Sequence, residues 1–214
     1  MQEIVEKENI MFAQEWLQTT DYELKILLLT SMLAENNLAY RGTLATMCEW
    51  LGIKTSSSNN NNNIKKALET LQEKEYIFYK VDGRTYTISI SNKGLKNKKI
   101  VYIRKEWLKT LKNYKKEENN YISIGWHNLI KVFIYIYSND FKESVRLKDI
   151  AEQLNISTKT LSNALNVIVE TKLDKLKVTK STDRAKVEIE CANGKKVTLP
   201  RNIGTNINVF IMFE

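Results

Sequence analysis

The segment Arg146–Glu170 constrains the fold of this 214-residue chain more than any other. Its first half carries apolar residues at the spacing of a short amphipathic helix: Leu147, Ile150, Ala151 and Leu154. Asn155 then tolerates the left-handed backbone that ends a helix, and Ser157 is a favourable N-cap. A second stripe of the same spacing follows at Leu161, Ala164, Leu165 and Ile168. The pattern predicts two amphipathic helices joined by a tight turn.

Two helices joined in this way, with a small alanine inside the first, resemble the helix-turn-helix of bacterial and phage DNA-binding proteins. In that family the second helix enters the major groove, with its N-terminal residues against the base edges. The resemblance implies that short polar or basic residues on the outward face of the second helix bind DNA. These are Thr158, Lys159, Thr160, Ser162, Asn163 and Asn166. The alternative is a helical hairpin packed in a core, with a solvated polar face.

A second copy of the pattern lies about 100 residues earlier, which indicates a domain duplication. Five apolar positions recur at a constant offset of 103: Leu44, Met47, Cys48, Leu51 and Ile53 match Leu147, Ile150, Ala151, Leu154 and Ile156. Four more recur at an offset of 97: Ile64, Ala67, Leu68 and Leu71 match Leu161, Ala164, Leu165 and Ile168. The first copy therefore holds six additional residues, which we expect in the turn Lys54–Asn60. A long apolar helix is predicted before each copy, at residues 22–34 and 126–137.

Each copy is followed by predicted strands. Residues 76–81 and 85–89 flank Asp82-Gly83-Arg84, which is a strong β-hairpin signal. In the second copy, residues 175–180 and 186–191 are predicted to flank a turn at 181–185, with Arg184 near its tip. A further turn at Asn193-Gly194 leads to a strand at 196–199 that Pro200 closes, and residues 209–213 form a last predicted strand.

Three helices followed by a β-hairpin resemble the winged-helix form of the helix-turn-helix, so nearly the whole chain resembles a tandem winged-helix protein. We expect an α+β, mainly helical fold, with a first winged-helix domain at residues 1–92, a basic linker at 93–100 and a second winged-helix domain at 101–214. This architecture is similar to that of plasmid and phage replication initiators, and to some repressors and partition adaptors. The resemblance implies that Arg84 and Arg184 in the wings touch the DNA backbone or minor groove. Alternatively, both are ordinary turn residues.

The positive charge is concentrated in one segment. The net charge is +8, and residues 92–116 carry ten basic side chains and one acidic one, whereas residues 1–91 have a net charge of −3 and residues 117–214 a net charge of +2. This concentration favours a polyanionic partner. We therefore expect Lys96, Lys98 and Lys99 to contact DNA; a solvated linker is the alternative.

The second helix of the first copy offers a further set of candidate DNA contacts, Asn61, Asn62, Lys65 and Lys66. Asparagine can bond adenine through two hydrogen bonds. The alternative is that the run Asn59–Asn63 is a flexible tract, because asparagine competes with the helix backbone for hydrogen bonds. Since residues 1–91 are acidic on balance, the first domain can instead serve for self-association.

No pattern in the sequence indicates catalysis. The single histidine, His127, lies on a predicted apolar helix, where packing explains it, and the sequence has no zinc-ligand cluster, no nucleophile with its base and no glycine-rich phosphate loop. We expect neither enzymatic activity nor a metal or other cofactor. The charged N-terminal residues and the lack of an apolar run long enough to cross a bilayer indicate a cytoplasmic protein.

The favoured function is sequence-specific binding of double-stranded DNA, as a plasmid or phage replication initiator at origin repeats. A transcriptional repressor, a partition adaptor and a winged-helix module that binds other proteins are the alternatives. The expected partners are double-stranded DNA and, as an open alternative, a second copy of the chain; no membrane and no small-molecule substrate is expected.

Overall fold

The computed structural model describes residues 9–33, 39–114, 124–139, 145–171 and 173, and the backbone of residues 176–190 and 196–211. In these ranges the protein has an α+β structure with small antiparallel sheets, and more residues lie in helices than in strands. The chain divides into two compact units, Met1–Lys112 and Asn113–Glu214.

The described part of the first unit begins with strand β1, a 3-10 helix at Gln14–Gln18 and helix α1. Strand β2 leads directly into α2, and α3 follows after a turn. The bounds are β1 Asn9–Ala13, α1 Asp21–Leu33, β2 Ala39–Thr43, α2 Leu44–Leu51 and α3 Ser58–Glu73. Two strands then form a hairpin, and the unit ends with a short helix, a strand and a helix. Their bounds are β3 Ile77–Asp82, β4 Thr85–Ile90, α4 Asn92–Leu95, β5 Ile100–Arg104 and α5 Lys105–Asn113.

Helix α1 forms the centre of the first core, because it is buried on almost every side. Its residues Leu24, Ile26, Leu27, Leu28 and Leu29 are fully buried. The helix packs against α2, α3, β1, β2 and β4. A helix that is apolar all round needs neighbours on all sides, and the predicted helix at 22–34 is confirmed with a shift of one residue at each end.

Strand β5 pairs with β1, which moves the boundary between the units. The two strands are antiparallel, with Phe12 opposite Val101 and Ile10 opposite Ile103. The four residues are buried or nearly so, and they form the inward face of this two-stranded sheet. Residues 100–112 therefore belong to the first unit, whereas the sequence placed the start of the second domain at residue 101. Residues 93–100 are likewise not a linker, because they contain α4 and the start of β5.

The second unit has the elements α6 Trp126–Ser138, β6 Val145–Arg146, α7 Leu147–Gln153, α8 Thr158–Glu170, β7 Leu176–Glu190 and β8 Lys196–Ile211. Its sheet has the strand order β6-β8-β7, and all pairs are antiparallel. The first unit contains a sheet of the same kind, β2-β4-β3. From α1 and from α6 onward, the two units thus share one order of elements: helix, strand, helix, helix, strand, strand.

The predicted turn at 181–185 is wrong. Strand β7 runs through this segment without a break and pairs along its whole length with β8. The ladder shifts register between Asp183 and Arg184, because Ile203 of β8 is an additional residue opposite β7. Such a β-bulge bends a strand without ending it. Pro200 likewise lies inside β8, opposite Lys186, at a position where β6 does not pair with β8. Proline has no backbone N–H, so it is compatible with the side of a strand on which no neighbouring strand pairs. The predicted turn Asn193-Gly194 lies outside the described residues.

Candidate nucleic-acid interface

The two helix pairs α2–α3 and α7–α8 have turns that begin in the same way. Gly52 and Asn155 have positive φ angles of 68° and 50° and end the first helix of each pair. The N–H of Ile53 donates to the carbonyl of Cys48 at 2.8 Å, and the N–H of Ile156 donates to the carbonyl of Ala151 at 3.0 Å. These bonds span six residues and belong to the usual way of ending a helix with a left-handed residue. The predicted turn at Asn155 is confirmed, and Gly52 is its counterpart in the first copy.

Serine caps the second helix of each pair. The hydroxyl of Ser157 accepts from the N–H of Thr160 at 3.0 Å, and that of Ser57 accepts from the N–H of Asn60 at 3.4 Å. Ser57 lies five positions after Gly52, whereas Ser157 lies two positions after Asn155. The turn of the first copy therefore has three additional residues. The other three lie inside α3, between Ser57 and the first buried position, Ile64. The six extra residues therefore lengthen both the turn and the helix, whereas the sequence placed them all in the turn.

The asparagine run is helical, and its members divide into two roles. Asn60 accepts a hydrogen bond from the Tyr22 hydroxyl at 3.0 Å, and its amide donates to the carbonyl of Lys54. Asn61 donates to the carbonyl of Thr55 at 3.3 Å. Both amides hold the preceding turn, so the flexible-tract alternative does not fit and Asn61 is occupied within the protein. The exposed candidates on α3 are Asn62, Lys65 and Lys66.

On α8, three predicted DNA contacts are exposed and three are half-buried. Thr158, Lys159 and Asn166 are exposed, and Thr160, Ser162 and Asn163 are half-buried. The hydroxyl of Thr160 lies 2.8 Å from that of Ser157, so it contributes to the cap of the helix. The first turns of α3 and α8 contain no acidic residue. Because the N-terminus of a helix carries a partial positive charge, both ends are compatible with an approaching phosphate.

The sheet β2-β4-β3 carries two neighbouring cations that the sequence pattern did not predict, Arg41 on β2 and Lys80 on β3. Gly83 and Arg84 form the two-residue turn of the hairpin β3–β4, with Gly83 at a φ of 56°, and Arg84 is exposed as predicted. The register places Arg41 and Lys80 on either side of Thr87, and both cations are exposed. The alternation of Tyr40, which is buried, with Arg41, which is exposed, is the only local pattern that indicates an outward cation here. Arg41 and Lys80 themselves are distant in sequence and become neighbours only because both strands pair with β4.

Arg184 does not lie at a hairpin tip. It occupies an interior position of β7, at the bulge, opposite Asn202. The last described pair of the β7–β8 ladder is Glu190 with Lys196, six residues beyond Arg184. The prediction of Arg184 as a wing-tip residue is therefore wrong, because the polar segment 181–185 that suggested a turn is paired in the ladder.

The basic segment, residues 92–116, is folded as far as it is described. Helix α4 packs so closely that a Cβ on Gly94 would lie 2.7 Å from the Cα of Tyr76. Lys98 is half-buried, with its ammonium 5.5 Å from the ring centroid of Tyr76, whereas Lys96 and Lys99 are exposed. The Lys93 ammonium contacts the Glu75 carboxylate at 2.7 Å, and this hydrogen bond raises the Lys93 pKa above its ordinary value. Lysines of this segment are thus presented on a fixed surface.

Other cations of the basic segment lie over aromatic rings. Lys112 of α5 lies 4.5 Å from the ring centroid of Trp50, and partial burial lowers the Lys112 pKa from its ordinary value. The guanidinium of Arg104 lies 5.2 Å from the ring centroid of Trp107 and stays exposed. A cation held over a ring has fewer rotamers to lose on binding a phosphate, and the ring stabilises its charge.

The new boundary also changes the charge of the first unit. Residues 1–112 carry 17 basic and 13 acidic side chains, a net charge of +4, and residues 113–214 carry 16 and 12, also a net charge of +4. The predicted division assigned residues 93–100 to a linker and residues 101–116 to the second domain, and it left the first domain, residues 1–92, with a net charge of −3. Both units are therefore basic, and self-association of the first unit no longer has an argument from its charge.

Among the described residues, no three His, Cys, Asp or Glu side chains are placed to hold a metal ion, and none of the helices combines the length and the apolar composition of a membrane span. His127 is buried in α6, with its ring edge-on to Trp126 at 6.1 Å. No protein-family model matches the sequence, and no curated protein matches it significantly.

Proposed function

We propose that this chain binds double-stranded DNA in a sequence-specific manner through two winged-helix units. The observation that carries the proposal is the repeated order of elements, in which α2–α3 and α7–α8 are each preceded by a helix and a short strand and followed by a two-stranded hairpin. This order resembles that of winged-helix proteins, whose second helix of the pair enters the major groove.

The polar faces of α3 and α8 supply the contacts in this proposal. The offset of 97 between the buried positions places Lys66 at the position of Asn163, and Asn62 at that of Lys159. Amide groups at such positions are suited to base edges, and ammonium groups to phosphates or guanine. The same offset places Glu69 where α8 has Asn166, so the two units present different chemistry and are expected to prefer different half-sites.

The folded basic segment supplies the electrostatic part of the binding. Its exposed cations Lys96, Lys99, Arg104 and Lys109 belong to the first unit. Lysine and arginine near phosphates release condensed counterions, which contributes affinity for any sequence. Within the DNA-binding class, the resemblance of the two-unit architecture favours a replication initiator that binds repeats at an origin.

The experiment is fluorescence anisotropy of the full chain with a random labelled duplex, between 50 and 200 mM salt. With at least about four phosphate contacts, the affinity should fall about 100-fold over this range. A triple variant, Lys96→Gln, Lys99→Gln and Lys109→Gln, should flatten the salt dependence. The matched control replaces Lys7, Lys25 and Lys54 by glutamine, which removes the same charge elsewhere in the unit. An affinity that does not change with salt would refute DNA binding and favour a module that binds other proteins.

A further inference from the structure

The outer edge of strand β7 is open among the strands that the structure describes. The sheet order is β6-β8-β7, so β7 has β8 on one side only. Within the described residues, strand β6 pairs with β8 at Asn206 and Ile207. From Arg184 to Glu190, β7 and β8 therefore extend beyond the three-stranded part as a two-stranded ribbon, about 20 Å long at 3.3 Å per residue. A two-stranded ribbon is marginally stable by itself, and an open edge pairs readily with another strand.

The apolar residues of β7–β8 change faces along the ribbon. Near its base, Leu176 and Val178 lie opposite Ile211 and Val209. Beyond the bulge, the apolar pairs are Val187 with Leu199 and Ile189 with Val197. Val187 is nine residues from Val178, and an odd separation places two residues of a strand on opposite faces. The distal part thus has its own apolar face, distinct from that at the base.

The charged residues of distal β7 form a self-complementary pattern. Arg184 and Lys186 are followed at the same spacing by Glu188 and Glu190, all on one face of the strand. When such a strand pairs antiparallel with a second copy of itself about residue 187, position 184 faces position 190 and position 186 faces position 188. Every charged position then lies opposite the other sign.

We propose that a second copy of this chain pairs antiparallel with the outer edge of β7, with Val187 opposite the partner's Val187. Sliding one strand by two residues in either direction would bring Lys186 opposite the partner's Lys186, or Glu188 opposite the partner's Glu188. Like charges directly opposite each other destabilise a sheet, so the charge pattern selects one register. In it, the apolar residues Ala185, Val187, Ile189, Val197 and Leu199 of both copies form one continuous face across four strands. This dimer does not depend on DNA binding.

The first test is charge reversal in the full chain, with the dimer dissociation constant measured by sedimentation. Lys186→Glu places like charges opposite each other at two symmetric pairs and should weaken the dimer about 10- to 30-fold. Glu188→Lys should weaken it similarly. The double variant Lys186→Glu/Glu188→Lys restores opposite charges in the dimer and should bring the constant back to within about 3-fold of the parent. The matched control, Lys177→Glu, lies on the same strand outside the paired segment and should leave it unchanged.

The second test is cross-linking in a chain with Cys191→Ser. Residues opposite each other in antiparallel strands have Cα atoms about 4.5–5.5 Å apart, a separation that a disulfide can bridge. Val187→Cys should therefore give a covalent dimer on mild oxidation. In Ile189→Cys the two thiols are four residues out of register, about 13 Å apart, and should not cross-link.

Four results would overturn the proposal. They are a chain that stays monomeric at all concentrations, a dimer that Lys186→Glu does not weaken, a double variant that is not restored, and cross-linking at residue 189 in place of 187. A monomer would mean that no second copy of the chain pairs with the outer edge of β7. Circular dichroism of each variant excludes unfolding as the cause, and the cysteine variants test the register even where a charge variant fails to fold.

Discussion

The ion pair between Glu23 and Lys74 offers the sharpest test of how the first unit holds α3. The Lys74 ammonium lies 2.9 Å from the Glu23 carboxylate, whose side chain is 6% exposed, whereas that of Lys74 is 42% exposed. Glu23 also accepts from the N–H of Thr20 at 3.3 Å, and its own N–H donates to the Thr20 hydroxyl. One carboxylate therefore caps α1 and binds the residue that ends α3.

Substituting Lys74 and substituting Glu23 should lower the free energy of unfolding by different amounts. Lys74→Met leaves a buried carboxylate without its cation and should lower the free energy of unfolding by about 2–3 kcal/mol, less than the 3–5 kcal/mol for a fully buried pair, because Lys74 is partly solvated. Glu23→Gln keeps an acceptor for the Thr20 N–H and should cost about 1–2 kcal/mol. In the double variant no charge is left buried. Its loss in free energy of unfolding should therefore be about 2 kcal/mol, well below the sum of the losses in the two single variants.

The assay is urea unfolding followed by tryptophan fluorescence. Trp16, Trp50 and Trp107 lie in the first unit and only Trp126 in the second, so the signal reports mainly on the unit that carries the pair. Fitting this transition separately avoids treating two units as one two-state system. Glu69→Gln, on the exposed face of α3, is the matched control and should change stability by less than about 0.5 kcal/mol. Additive costs in the double variant, or a loss for Lys74→Met below that of Glu23→Gln, would refute the reasoning.

Three further predictions concern the candidate interface. Asn163→Ala should weaken binding to the specific site by about 1–3 kcal/mol and to random duplex very little; equal losses in a gel shift would remove Asn163 from the base contacts. Asn61→Ala should lower the free energy of unfolding of the first unit by about 1 kcal/mol in urea and leave DNA affinity unchanged. Asn62→Ala should weaken DNA binding and leave the free energy of unfolding unchanged. Residues 1–112 and 113–214, prepared separately, should each bind far more weakly than the intact chain, since linkage makes the second contact intramolecular; full affinity in 113–214 alone would exclude the first unit as a DNA-binding element.

Local patterns in the sequence predicted the helices and one hairpin well. The stripes at Leu44–Leu51 and Leu147–Leu154 correspond to α2 and α7, and Ser157 caps α8 as predicted. Asp82-Gly83 likewise gave the hairpin β3–β4. Each of these signals depends on residues within about four positions of one another, so the chain nearby contains the whole physical cause.

Choices between distant partners were decided by the tertiary structure. The sequence contains a strand at Ile100–Arg104, but only packing shows that it joins β1, some ninety residues earlier, and so belongs to the first unit. Asn61 and Asn62 are identical in the sequence, and the turn beside α3 occupies one and leaves the other exposed. The polar residues around Arg184 favour a turn locally, yet pairing with β8 keeps them in a strand. In each case the deciding contact is made by a residue far along the chain, which a local pattern cannot specify.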